Sequence, residues 1–386
     1  MSENQSPKAG KKKLAGVAGI VIPMLFGGAV GVFGAQFIDG MTGGSDALFF
    51  LYLGLMLIGL ILAFFTQIVL HEGGHLIFGR MTGYRFVSFN ILGFIWQRDA
   101  NGKLRMGRMQ IAGAGGQCLM APPEYNGGDF PFTLYNLGGV LMNLISAALF
   151  GLLAWAIPFA PVRILLAAQV LAGVAFALTN GLPLPIAALQ NDAKNLLCIR
   201  KDLHARRSFW VQMAIGAELA RGTRIKSMPD EWFAPFPEEA MDNPIVCSTA
   251  VMNAARLMDM LDFAAAEREI RRLLSRQKGV LGLYRMTMGC DGAVCELIAG
   301  RPGNLTASLE APENRQMMTA MKTHPSILRT QYAIALLKER DIQKAEKLLN
   351  EFEAAARKHP HPQEVTGERE LLLAIQNALL NGGAQA

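Results

Sequence analysis

Residues 48 to 70 carry no charged side chain, and the run ends directly in His71-Glu72-Gly73-Gly74-His75. An apolar segment this long can cross a bilayer, and inside hydrocarbon only a helix satisfies its own backbone. Read as one helix from Leu48 to Gly79, it is about 48 Å long against about 30 Å of hydrocarbon. It must therefore tilt, bend near Gly54 or Gly59, or protrude. On such a helix His71 and His75 stand four residues apart and project from one face, so both imidazoles can share a metal ion. Glu72 falls about 100° round the helix, beside such an ion rather than on it.

Chance alone places HExxH in roughly half a percent of chains of this composition, and paired helical histidines are more often packed or solvated than metal-binding. Two things argue the other way: glutamate at the second position, and the location. Ionisable groups at the end of a membrane-length run are costly and are functional candidates by default. Neutral imidazole suits Zn²⁺, and a catalytic zinc keeps three protein ligands with one position open for water. Glu72 would then be the catalytic base, taking a proton from that water and passing it to a leaving amine.

The chain has 386 residues, 51% of them hydrophobic, with the apolar ones concentrated in the first half. That predicts a membrane region followed by a soluble one. A net charge of +6 would suit nucleic acid. The basic residues cluster beside apolar spans, however, where positive-inside bias accounts for them, so no nucleic-acid partner is expected. The five cysteines are odd in number and lack CxxC spacing, which reads as reduced thiols, buried or facing the cytosol.

Four spans are expected. Lys8, Lys11, Lys12 and Lys13 precede an apolar stretch from Leu14 to Ile38, too long for an ordinary signal peptide and read as an uncleaved anchor. The second span runs from near Ala47 into the histidine motif. The third runs from Phe132 to about Ile157, with Asn136 and Asn143 in apolar surroundings. The fourth runs from Ile164 to Thr179 and breaks at Asn180-Gly181-Leu182-Pro183. Between spans two and three, β-branched and aromatic residues from Phe86 to Gln97, the Asn101-Gly102 turn signal and the run from Leu104 to Ile111 predict a small cytosolic β-hairpin. Its exposed edge could pair with an extended substrate. Gln117 to Pro131 reads as loop.

The lysine cluster, the acidic outer loop and the basic flanks near Arg80 and Arg206 place both termini in the cytosol of a multi-pass cell-membrane protein. Past a Pro- and acid-containing linker, the remainder is helical. Leu261-Asp262-Phe263-Ala264-Ala265-Ala266-Glu267 is echoed by Arg340-Asp341-Ile342-Gln343-Lys344-Ala345-Glu346. Small residues at a tight crossing, with Asp opening the second helix, suit tetratricopeptide-like helix pairs; an ordinary helical bundle is the alternative. The expected organisation is an N-terminal tail, anchor and outer loop (1–46), a membrane core (47–195), a basic helix and linker (196–243) and a cytosolic helical domain (244–386). The fold class is thus an α-helical polytopic membrane protein with a C-terminal all-α, tetratricopeptide-like domain.

His71-Glu72-x-x-His75 in one span, Gly138-Gly139-Val140-Leu141-Met142-Asn143 in the next, and Asn180-x-x-Pro183 leading to Asn191-Asp192 together resemble the site-2 proteases. These are intramembrane zinc metalloproteases with a three-helix catalytic core, and the resemblance covers roughly residues 47 to 195. It implies that His71, His75 and Asp192 hold zinc, that Glu72 is the general base, and that Asn143 and Asn180 lie near the substrate. The family usually has Asp-Gly where this chain has Asp192-Ala193. The implied activity is hydrolysis of peptide bonds in membrane-anchored proteins or signal-peptide remnants, with the lipid bilayer as surroundings and a protein partner for the helical tail. A rival reading is a catalytically silent scaffold with a structural zinc, although a purely structural site would not need Glu72. A metal transporter would need acids or histidines along several spans, and the apolar stretches of the other three have none.

Overall fold

The computed structural model describes residues 27–28, 31–32, 34–98, 102–108, 115–183, 191–359 and 361–383. Internal contacts divide the chain into two compact units. One comprises Met1–Thr82, Gly113–Cys118 and Pro131–Leu197; the other comprises Gly83–Ala112, Leu119–Phe130 and Cys198–Ala386.

The first unit is built on three mutually packed helices: α1 (Asp46–Met81), α2 (Thr133–Ala156) and α3 (Ala160–Gly181). All three are long and apolar enough to cross a membrane. The anchor expected over Leu14–Ile38 lies mostly outside the described residues; residues 34–39 are helical, and Ile38 packs against Met56 and Ile164. Helix α1 is a single 36-residue helix, about 54 Å long, with no break at Gly54 or Gly59. Ser45 caps it, Asp46 stands in its first turn and Arg80 in its last, an arrangement that complements the helix dipole. Large side chains such as Phe50, Leu51, Ile61 and Leu62 are exposed along it. Such a surface suits lipid better than water.

Close approach of α1 and α2 depends on missing side chains. A Cβ at Gly138 would stand 2.7 Å from the Gly74 carbonyl, and one at Gly74 would overlap the Gly138 carbonyl in turn. The two backbones therefore touch, as small residues allow in membrane helix pairs. Helix α3 closes the bundle, with Gly173 against Asn143 and Ala147, and ends at Gly181 before the expected break at Pro183. Helix α4 (Asp192–Arg200) follows; residues 184–190 lie outside the described set.

In the second unit, the stretch expected as one arm of a hairpin is itself a hairpin. β1 (Arg85–Ile91) and β2 (Phe94–Arg98) pair antiparallel, with Phe89 opposite Trp96. The turn between them is Leu92-Gly93, both with positive φ. Leucine rarely adopts that conformation, so the sequence gives little sign of this turn. β3 (Leu104–Arg108) pairs with β2 as expected, Arg98 opposite Leu104. A further correction concerns Gln117 to Pro131, expected as loop: Gly116–Ala121 forms strand β4 and completes a sheet of order β3-β2-β1-β4. The expectation rested on the prolines and glycines from Pro122 onward, and these begin only after the strand. Strand β3 is at the edge, with Leu104 and Met106 exposed.

The rest of this unit is helical: α5 (Leu203–Ala220), α6 (Pro244–Asp259), α7 (Phe263–Leu274), α8 (Gly282–Ile298), α9 (Asn304–Ser308), α10 (Pro312–Ala320), α11 (Pro325–Ala333), α12 (Ile342–Ala356) and α13 (Pro362–Gly383). The segment between α5 and α6 is a series of short 3₁₀ turns anchored by buried Phe233 and Met241. The two echoed phrases adopt one local geometry. Leu261 and Arg340 each take a left-handed conformation, and Asp262 and Asp341 then cap α7 and α12 by accepting from Ala265 N and Lys344 N. Cys118, Cys247, Cys290 and Cys295 are buried free thiols.

Candidate metal centre

His71 and His75 sit on consecutive turns of α1 with their rings 4.9 Å apart and nearly perpendicular. Each imidazole is fixed through Nδ1. His75 Nδ1 lies 2.7 Å from the Tyr135 carbonyl oxygen, which can only accept, so Nδ1 carries the proton. His71 Nδ1 lies 2.7 Å from Asn143 Oδ1. The Asn143 amide is itself oriented, because its Nδ2 donates to Gln67 Oε1 at 2.7 Å and to the Gln67 carbonyl at 3.2 Å. That leaves Oδ1 as acceptor and His71 Nδ1 as donor. Both rings therefore direct an Nε2 lone pair to one place, with the two Nε2 atoms 3.3 Å apart.

Asp192 completes the group. Its Oδ2 is 3.2 Å from His71 Nε2 and 3.5 Å from His75 Nε2. The residue opens α4 directly after Asn191, whose Nδ2 donates to the carbonyls of Thr179 (2.8 Å) and Leu182 (2.6 Å) and whose Oδ1 accepts from Lys194 N. Asn191 thus ties the end of α3 to the start of α4 and sets where Asp192 can point. Ala193 lies within α4 and has no positive φ, so the backbone here does not demand glycine.

One ligand atom from each of His71, His75 and Asp192 falls within 4.8 Å of the others, and no other such group occurs among the described residues. Asp192 Oδ2 is buried and accepts no hydrogen bond. Two nitrogen lone pairs and a carboxylate oxygen meeting in a buried space repel one another unless a cation lies between them. The donor set fits a divalent cation.

Glu72 is buried beside this group, with the Cys118 backbone N–H bonded to its carboxylate. A Cβ at Gly116 would stand 2.7 Å from Glu72 Cγ and 2.8 Å from its Oε1, so the first residue of β4 leaves room for the acid only as glycine. Gly139 does the same for His71, since a Cβ there would lie 2.5 Å from the ring.

The two asparagines expected near substrate have other commitments. Asn143 is fully buried and bonded to His71 and Gln67, which makes it a support for the His71 ring. Asn180 donates to the Phe176 carbonyl one turn back in its own helix. Sequence reasoning missed Gln67, Gly116 and the Tyr135 carbonyl. A glutamine one turn before His71 in an otherwise apolar run was the signal available for the first. No family model matches the chain, and no curated protein or solved structure matches it either.

Proposed function

We propose that this chain is an intramembrane zinc endopeptidase of site-2-protease type, cutting membrane-anchored proteins or signal-peptide remnants. The observation that carries this reading is the meeting of His71, His75 and Asp192 with buried Glu72 alongside. A structural site would use the three ligands and gain nothing from a buried acid that makes no salt bridge. The three apolar helices support a membrane location, and the motif resemblance supplies the reaction class.

When bound, zinc would polarise the scissile carbonyl and make water a better nucleophile at neutral pH. The protein's own groups do the rest. His71 and His75 hold their Nε2 atoms toward the centre because Asn143 and Tyr135 fix their Nδ1 protons. Glu72 accepts the proton of the attacking water and returns it to the leaving amine. Gly116 and the Cys118 N–H position the acid for both steps.

The helical tail we read as a tetratricopeptide-like adaptor, on the strength of the matching Asp-capped helix starts at Asp262 and Asp341. The decisive experiment for the peptidase is Glu72→Gln. Glutamine keeps the size and can bond water but cannot take its proton. Cleavage of a membrane-anchored model substrate should be abolished, with zinc content and membrane insertion near normal. Turnover equal to the parent protein's would remove Glu72 from the role of base.

A further inference from the structure

The tail contains a cavity of about 340 Å³ walled by α6, α8 and α13, with Arg224 and Leu219 at one side. Much of its wall is apolar, with Met252, Met258, Met288 and Leu371 among the lining residues. The remainder is charged, and the charges do not balance.

Arg329, with its side chain only 2% exposed, bonds Asp291 at 2.5 Å and lies 3.5 Å from Glu368. Arg224 bonds Asp259 and Glu370, and Lys226 bonds Glu370 at 3.0 Å. Both residues are therefore matched by these two acids. Among the described residues Glu364 has only His359 Nε2, 3.8 Å away. Glu368 Oε2 is buried with no hydrogen-bond partner. Three cations (Arg224, Lys226 and Arg329) thus face five carboxylates (Asp259, Asp291, Glu364, Glu368 and Glu370). The neighbouring histidines do not make up the difference. Burial lowers His324, His359 and His361, the first and last to about 4, so all three are neutral near neutral pH. Burial also pushes Glu364 and Glu368 up to about 7, Glu368 against the pull of Arg329, so both become fully charged only above neutral pH. Arg329 Nε also lacks an acceptor, but one unpaired donor does not reverse a deficit that reaches two positive charges once Glu364 and Glu368 are ionised.

We infer that this cavity is a binding site for an organic cation on an alkyl stem, a guanidinium or primary ammonium that seats between Glu364 and Glu368 while its methylenes lie against the methionines. The cation is carried either by a free small molecule or by a basic side chain of a partner's extended segment. An anionic ligand is disfavoured because Arg224 and Arg329 already bond carboxylates. The inference does not rest on the peptidase reading, since none of these residues belongs to the metal centre.

The test is calorimetric titration of the full chain in detergent at about pH 8, where Glu364 and Glu368 are both largely ionised. Three probes are compared: agmatine, a blocked pentapeptide with arginine at the centre of four alanines, and the same peptide with uncharged citrulline. At least one cationic probe should bind saturably and the citrulline peptide should not. Glu368→Gln and Glu364→Gln should each weaken binding about tenfold or more, as loss of a partly buried charge partner does, and Glu351→Gln on the exposed face of α12 should not. Tighter binding of the arginine peptide than of agmatine assigns the site to a partner's side chain; the reverse assigns it to a free cation. Glu364→Gln keeps the test open should Glu368→Gln unfold the tail by depriving Arg329 of its neighbour. The inference is overturned if neither cation binds, if citrulline binds as well as arginine, or if Glu364→Gln binds like the parent.

Discussion

The hydrogen-bond network that supports His71 in the first unit is made of amides and a hydroxyl: Gln67, Asn143 and Ser146, with Gln169 bonded behind them. In the tail, Glu267, Glu296 and Arg329 are buried as ions beside hydroxyls such as Thr249 and Thr330. Arg329 lies between Asp291 and Glu368, and Glu296 is fully buried against Arg271 and the N–H groups of Gly303, Leu305 and Thr306. Against the cost of burial, those N–H groups hold the Glu296 carboxyl down to about 2. The difference follows from what each element has to work with. A neutral amide in an apolar bundle costs little to leave in place and contributes about 0.6 kcal/mol per bond. An ion buried there must meet another charge, and the first unit concentrates its buried charge at the candidate metal centre. The tail distributes ion pairs through its helix packing, where removal of one partner costs about 3–5 kcal/mol.

Substitutions can break this contrast, and Asp192→Ala should do so most severely. Loss of one of three ligands should remove both bound zinc, measured by elemental analysis of the purified protein, and all turnover. Glu124→Ala and Asp129→Ala, outside the ligand group, should keep both. Full zinc stoichiometry in Asp192→Ala would send the search for the third ligand elsewhere.

Next is the glycine contact. Gly74→Ala should lower the thermal stability of the membrane unit by about 1–3 kcal/mol through overpacking against Gly138. Gly54→Ala, with nothing within 4 Å, should be near neutral. Equal effects from the two would mean that α1 and α2 do not meet as described.

Gln67→Leu removes the group that orients Asn143 and so frees the His71 tautomer. Zinc affinity, read by competition with a chelator, should fall about tenfold while the helices remain folded. Unchanged affinity would reduce the amide network to packing.

The smallest effect belongs to the tail. Asp262→Ala or Asp341→Ala should cost about 1 kcal/mol each in denaturant unfolding and leave zinc untouched. A loss of metal there would contradict the separation between the two modes of burial.

Much of the candidate centre was legible because its possible ligands carry rare chemistry at helical spacing. His71, Glu72 and His75 announce themselves against an apolar background, and Asp192 follows a helix break that Pro183 makes visible. Asp262 and Asp341 were readable for a similar reason, as short acids just ahead of helical phrases. What was illegible depends on through-space relations. Gly116 is one glycine among 40 until its strand is seen against Glu72. Asn143 could be recognised as a buried amide, but not as one already bonded to a ligand histidine. The Leu92-Gly93 turn was hidden because leucine there contradicts its own preference, and only the pairing of Phe89 with Trp96 discloses it.

The unbroken length of α1 has a further consequence, which concerns supply. From Asp46 to His71 the helix climbs about 38 Å, more than the roughly 30 Å of a hydrocarbon slab. In an upright helix with its Ser45 cap at one boundary, the histidines stand at the opposite boundary. On the proposed peptidase reading, each cut would consume a water molecule, which could arrive there from bulk solvent through a shallow passage. A substrate helix, by contrast, would have to offer its scissile bond near its own end, where the last turn frays most readily. Depth measured along α1 would in this way select which bond of a buried segment is presented for hydrolysis.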